Sequence, residues 1–329
     1  MKRLFRKFYP ERFQGSLSNE IYFEGWYYKL VNKAGDFIIA FIPGISLDKK
    51  NKTSHSFIQV LNGITCEYRY INFPENHFKA KTDEFRVSVG KNVFTSNSIS
   101  LDISSGKTEI NGTLLFSSIT GYPSSFFRPG IMSWLTWFPF LECSHGIINL
   151  DYKINGVLNI DGRCVDFSEG RGYLEKDWGR SFPSHWIWMQ SNHFSKPGNS
   201  FVFSLAKMPL IFFKIKGFFA VLHCDGKTYT FATHNGFLLK HRHIKDRSFS
   251  CVIENRRFKL EVMAFKNMRK SSDSALMKAP VNGCMEYKCV ESMTSAIKVR
   301  LSSKKTGKTV FEDTGSFAGL EIMGTDSEL

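Results

Sequence analysis

The chain has 329 residues, 42% of them hydrophobic and 22% charged, so it can bury a core and lacks the charge bias of a disordered chain. With 25 Gly and 10 Pro it is neither collagen-like nor low in complexity, and a formal net charge of +14 raises nucleic acid or an anionic membrane as partners. Aromatic residues reach 15%, with 32 Phe, which favours pleated surfaces and large apolar cavities over helices.

The opening MKRLFRKFYPERF is charged but has no apolar stretch behind it, so it does not read as a signal peptide. Strands are predicted over Tyr22–Val31, Phe37–Ile42, Ser56–Leu61, Glu67–Asn72, Phe85–Val89, Ser98–Ile103 and Thr108–Phe116. Turn chemistry separates them, as at Asn62-Gly63 and Gly90-Lys91-Asn92. An aromatic stretch from Pro123 to Cys143, with Phe126, Phe127, Trp134, Trp137, Phe138 and Phe140, interrupts the rhythm. It is either a lid or plug over a cavity or an inter-domain packing segment.

A second series of strands is predicted over Ile147–Tyr152, Gly156–Asp161, Trp186–Phe194, Ser200–Leu205, Phe218–Cys224 and Lys227–Ala232. It continues over Phe249–Glu254, Arg257–Ala264, Gly283–Val290, Ala296–Ser302 and Thr309–Thr314. The longest apolar run, Met208 to Leu222, is broken by Pro209, Lys214, Lys216 and Gly217 and is too short to span a bilayer. Helix candidates are few and short, near Phe126–Ser133 and Leu320–Met323. The pattern is all-β, of sandwich or barrel type. Seven cysteines without a C-x-x-C pair read as reduced, buried thiols of a soluble cytoplasmic protein.

Two strands carry distinct faces at period two. In Tyr22–Val31, Glu24, Trp26 and Tyr28 share one face; in Trp186–Phe194, Trp186, Trp188, Gln190 and Asn192 share one, and His193 lies on the other. Indoles beside carboxamides suit a pocket wall, and equally a half-buried strand. Between the halves, Gly170–Pro183 packs glycines, acids, bases and an indole closely. If this segment is extended, Glu175 and Asp177 share a face, and like charges so close favour holding one proton between them. The alternative is an ion network in which Arg171, Lys176 and Arg180 pair with these acids. Cys143/His145 and His241/His243 each offer one pair of ligands, which does not make a metal site, so no metal is expected. Basic residues mix with aromatics around 237–270, but no nucleic-acid-binding signature accompanies them, and no nucleic-acid partner is expected.

Phe23-Glu24-Gly25-Trp26-Tyr27-Tyr28-Lys29, Glu142-Cys143-Ser144-His145-Gly146, the run Gly170–Pro183 and Trp186-Ile187-Trp188-Met189-Gln190-Ser191-Asn192-His193-Phe194 together resemble the tocopherol cyclase family. A last block runs from Lys278-Ala279-Pro280 to the acidic end, and the likeness extends over roughly residues 18–325. It implies two consecutive lipocalin-like antiparallel β-barrel or sandwich halves, placed at 18–170 and 171–329. It also implies an intramolecular cyclase, of the isomerase class, that closes a prenylated hydroquinol to a chromanol. A proton adds to the alkene, the phenol oxygen captures the tertiary cation, and no cofactor is required.

Such a site needs a carboxylic acid, aromatic faces for the developing cation, and polar groups for the ring. Asp177 is the first choice for the acid, with Glu24 and Glu175 as rivals. Trp26, Trp178, Trp186 and Trp188 are expected to line the cation, with Tyr28 in the binding wall. Gln190, Asn192, His193 or His145 would orient the headgroup. The substrate is a hydrophobic isoprenoid or prenylated aromatic. The basic stretch 240–270, ten Lys/Arg against three acids, would make peripheral contact with an anionic membrane. The other reading is a non-catalytic carrier of an isoprenoid or other lipid.

Overall fold

The computed structural model describes residues 6–125, 128–138, 141–210, 213–245, 247–266 and 274–329, with the backbone alone over 208–210 and 213–215. Twelve strands form one antiparallel sheet: β1 (Ile21–Val31), β2 (Ile38–Asp48), β3 (His55–Asn62), β4 (Tyr68–Pro74), β5 (Phe78–Ala80), β6 (Arg86–Val89), β7 (Asn92–Thr95), β8 (Ser98–Ser105), β9 (Thr108–Gly121), β10 (Cys143–Ile160), β11 (Arg163–Asp166) and β12 (Arg171–Gly179). Ten more form a second: β13 (Trp186–Ser191), β14 (Ser200–Leu210), β15 (Phe213–Cys224), β16 (Lys227–Ala232), β17 (Leu238–Lys245), β18 (Ser248–Glu254), β19 (Phe258–Phe265), β20 (Ala275–Val281), β21 (Cys284–Ser303) and β22 (Thr309–Met323). The named helical elements are three short 3₁₀ turns, and among the described residues no helix is long and apolar enough to cross a membrane.

Each sheet is mostly a meander of neighbouring hairpins, closed by one late strand. In the first the order is β4-β3-β2-β1-β12-β10-β9-β8-β7-β6-β5, so β12 lies between the first strand and β10. In the second, β22 lies between β13 and β21. Trp26, Tyr28 and Leu30 of β1 pack in one core with Ile71 of β4 and Val87 of β6, strands near opposite ends of the sheet order. A sheet whose two ends feed one core must curl around it, as in a lipocalin-like half. The second core forms likewise from Ile187, Phe203, Phe231, Phe249 and Val299. Both halves are all-β, as expected.

Two expectations change. Leu320–Met323 is strand, not helix: within β22, Leu320 pairs with Met189 and joins the core while Glu321 pairs with Trp188 on the other face. The inter-strand ladder satisfies the backbone of this segment. Of Phe126–Ser133, Phe126 and Phe127 lie outside the described residues; the helical turn begins at Ser133 and runs to Trp137. Phe140 of the aromatic stretch also lies outside them. The compact units are Met1–Asn62 with Glu67–Phe182 and Met277–Lys288, and Gly63–Cys66 with Pro183–Leu276 and Cys289–Leu329. The first unit thus runs past residue 170 and takes in β12, which pairs on both sides within its sheet.

Candidate active site

The Gly170–Pro183 segment is extended over Arg171–Gly179, and its neighbours fix what each side chain meets. Asp177 stands opposite Gly25 of β1 and His145 of β10; Lys176 stands opposite Trp26 and Gly146; Glu175 stands opposite Tyr27 and Ile147. Alternation then puts Tyr173, Glu175 and Asp177 on one face of β12, and Leu174, Lys176 and Trp178 on the other.

The second of these faces lies on the core. Lys176 and Glu24 are both fully buried, and Lys176 Nζ donates to Glu24 Oε1 at 2.7 Å and to the Arg12 carbonyl at 2.6 Å. Glu24 also accepts from the amides of Gln14 (3.0 Å) and Gly15 (3.2 Å) and from the Tyr22 hydroxyl. Every neighbour of this carboxylate is a donor. The Lys176 ammonium lies over the rings of Trp178 (4.5 Å) and Trp26 (5.1 Å), so these indoles already face a cation. Burial holds its pKa below that of an ordinary lysine, against the opposing charge of Glu24. Gly146 makes room for the assembly, since a Cβ there would sit 3.0 Å from Pro10 and 3.1 Å from the Trp178 ring. Tyr28 is a core residue whose hydroxyl donates to the Thr95 carbonyl at 2.7 Å.

The opposite face holds a chain of polar groups. His145 Nδ1 lies 2.9 Å from Asp177 Oδ1, and Nε2 lies 3.2 Å from Glu175 Oε2. The Tyr173 hydroxyl donates to the same Glu175 oxygen at 2.5 Å. Burial pushes the His145 pKa down, but Glu175 and Asp177 outweigh it and lift it to about 10, so the ring is an imidazolium at neutral pH. Burial and the Glu175 charge push the Tyr173 phenol well up. Burial likewise raises the Cys143 thiol, whose Sγ lies 4.0 Å from Asp177 Oδ1. Asp177 keeps a quarter of its side chain exposed, against 5% for Glu175, which makes it the open end of the chain. One atom from each of His145, Glu175 and Asp177 fits within 4.8 Å of the others, close enough to hold a metal ion. The two ring nitrogens, however, address different carboxylates, so a metal would displace one of these two contacts.

The other expected residues belong to the second unit. Trp186, Trp188 and Gln190 share the face of β13 opposite the core residues Ile187 and Met189. Trp186 Nε1 donates to the Glu321 carboxylate, and the Trp188 ring lies over Gly319, where a Cβ would approach it to 2.6 Å. Asn192 and His193 follow the end of β13, joined by Asn192 Oδ1 and His193 Nδ1 at 2.9 Å. His193 meets Phe317 edge to face.

The ion-network alternative takes a different form: Lys176 pairs with Glu24 and Arg171 with Asp151, at 2.7 and 2.8 Å, not with Glu175 or Asp177. Tyr173, Lys176 and Glu321 were missing from the expected site. Tyr173 was legible as the residue two before Glu175 on an extended segment. Nothing local joins Lys176 to Glu24, which is 152 residues away.

The model of the family described as tocopherol cyclase-like matches residues 104–324, about two thirds of the chain. The chain belongs to that family. A probable chloroplastic tocopherol cyclase of Oryza sativa subsp. japonica is 25% identical over 203 residues, 58% of this chain and 42% of that protein. The chloroplastic tocopherol cyclase of Zea mays is 39% identical over 67 residues, 20% of this chain and 14% of that one. The matches thus span less than half the length of these curated relatives. Among solved structures, CghA superposes with a TM-score of 0.54 at 10% identity, over 93% of this chain and 89% of its own. Kievitone hydratase from Nectria haematococca gives 0.50 at 12% identity, over 92% and 89%. At such identities the likeness establishes the fold.

Proposed function

We propose that this member of the tocopherol cyclase-like family is an enzyme that closes a prenylated hydroquinol to a chromanol. The observation that carries the reading is the placement of His145 between two carboxylates, with its ring nitrogens 3.2 Å from Glu175 and 2.9 Å from Asp177. The reaction is an isomerisation: one proton goes on to an alkene carbon, the phenol oxygen bonds to the resulting tertiary cation, and the phenolic proton leaves. A cluster that gives up one proton and takes one back returns to its starting state each turnover.

In this reading Asp177, the exposed end, delivers the proton, and His145 with Glu175 holds the cluster's charge. Glu24, Trp26, Trp178 and Tyr28 serve the fold, because their polar groups and ring faces are engaged within the core. Trp186, Trp188, Gln190, Asn192 and His193 lie in the second unit and are given no part in this step. The test is incubation with a methyl-prenyl hydroquinone in deuterated buffer, followed by mass spectrometry. The expected product has the substrate's formula with one carbon-bound deuterium. Quinol recovered bound but unreacted would overturn the enzyme in favour of a carrier.

A further inference from the structure

We infer that the surface formed by Tyr9, Trp134 and Phe138 docks this protein on an anionic lipid bilayer. All three rings are exposed, at 44%, 49% and 41%, and all lie within the first unit. The turn Ser133–Trp137 presents Trp134 edge to face with Phe138, at 5.5 Å between centroids, while Ile131 and Met132 beneath are buried. The N-terminal segment joins this turn: Phe8 packs on Trp137 at 5.3 Å, and Lys7 Nζ donates to the Thr136 carbonyl at 2.8 Å. Trp134 and Phe138 are thus an exposed aromatic pair in contact, beside a segment that exposes Tyr9, and exposed apolar groups in contact mark a contact surface.

The chemistry of the surround selects lipid. Residues 122–141 contain one base, Arg128, and no acid, and the described part of the N-terminal segment, residues 6–13, carries Arg6, Lys7 and Arg12 against Glu11 alone. Lys7 lies over the Trp137 ring at 5.3 Å and the Arg12 guanidinium over Tyr9 at 3.8 Å, which keeps cationic heads beside the apolar rings. Aromatic bodies at headgroup depth with Lys and Arg beside them match an acidic membrane interface. A second copy of the same basic patch would instead set like charges opposite each other. In the stretch 240–270, three bases, Lys240, Arg242 and Lys259, are paired with Glu254, Asp326 and Glu261, while in the N-terminal segment the ion pair is that of Arg12 with Glu11. The inference depends on no particular reaction.

The test floats the full chain with phosphatidylcholine vesicles, with and without phosphatidylglycerol, and reads tryptophan quenching by brominated acyl chains. Binding is expected only with the anionic lipid and is weakened by salt. Trp134→Ser with Phe138→Ser should lower partitioning at least about tenfold, with thermal melting unchanged because both rings are exposed. Arg128→Glu should reduce the preference for anionic lipid. Absence of binding by the native chain, or native-like binding by the double variant, overturns the inference. So does loss of binding in Arg256→Glu with Arg257→Glu alone, which would place the contact in the other basic stretch. A native dimer in sedimentation that the double variant dissolves would assign the rings to a second copy.

Discussion

The two faces of β12 carry the same kinds of side chain to opposite ends. On the core face, Lys176 and Glu24 are fully buried and ringed by fixed partners, with Arg12, Gln14, Gly15 and Tyr22 all bonded to the pair. On the other face, His145 links two carboxylates in a chain that begins at a buried tyrosine and ends at a partly exposed aspartate. A carboxylate closed in by donors fixes structure, whereas one at the end of a chain is placed to exchange a proton. Charge and burial alone therefore do not separate the two carboxylates; the neighbours that surround each do.

The sharpest division of labour is expected from Asp177→Asn. Turnover of a prenylated hydroquinol should fall about 10²–10⁴-fold while the chain still folds, with a smaller stability loss than Glu24→Gln, as measured by product chromatography and equilibrium unfolding. Glu24→Gln should do the reverse, costing about 3–5 kcal/mol because it strands the Lys176 ammonium in the core. Adding Lys176→Met to it should recover part of that loss, and a double-mutant cycle measures how much. A double variant no more stable than Glu24→Gln alone would show that the amide and hydroxyl bonds, not the ion pair, hold this face.

His145 supplies a pH signature that the core pair lacks. Its folded pKa, about 10, lies above the ordinary value near 6.5, so its contribution is fully present below that value and is lost as pH rises through about 10. Native stability should drop by about 2–4 kcal/mol between pH 7 and 10.5 relative to His145→Gln, read from denaturant midpoints. Parallel curves for the two proteins would place the His145 pKa near that of an unfolded chain. The smallest effect belongs to Tyr173→Phe, which removes one hydrogen bond to Glu175 and should cost about 1–2 kcal/mol. Its effect on turnover should be well below that of Asp177→Asn.

Much of this contrast was legible in the chain. Period-two reading of Tyr22–Val31 placed Glu24, Trp26 and Tyr28 together, and extension of 171–179 placed Glu175 beside Asp177. What joined them was not, because register across strands is set by sheet order and not by local pattern. His145 meets Asp177 across 32 positions and Lys176 meets Glu24 across 152. The aromatic wall expected for a carbocation was read from Trp26, Trp178, Trp186 and Trp188, and a lysine lies over the first two of these rings. Leu320–Met323 was misread because four residues at the end of a long strand do not display its alternation.

The pairing of β10 with β12 contains two irregularities, between Ile147 and Asn149 and between Asn149 and Tyr152, and each gives β10 one more residue than its partner. The longer strand therefore absorbs changes in length. β12 has no such slack opposite β1, where Val31 through Phe23 pair without a break with Arg171 through Gly179. One residue gained or lost there would exchange its faces, turning Lys176 toward His145 and Glu175 into the core. Relatives of this chain should accordingly differ in length within 147–152 and keep the spacing of 172–178 fixed.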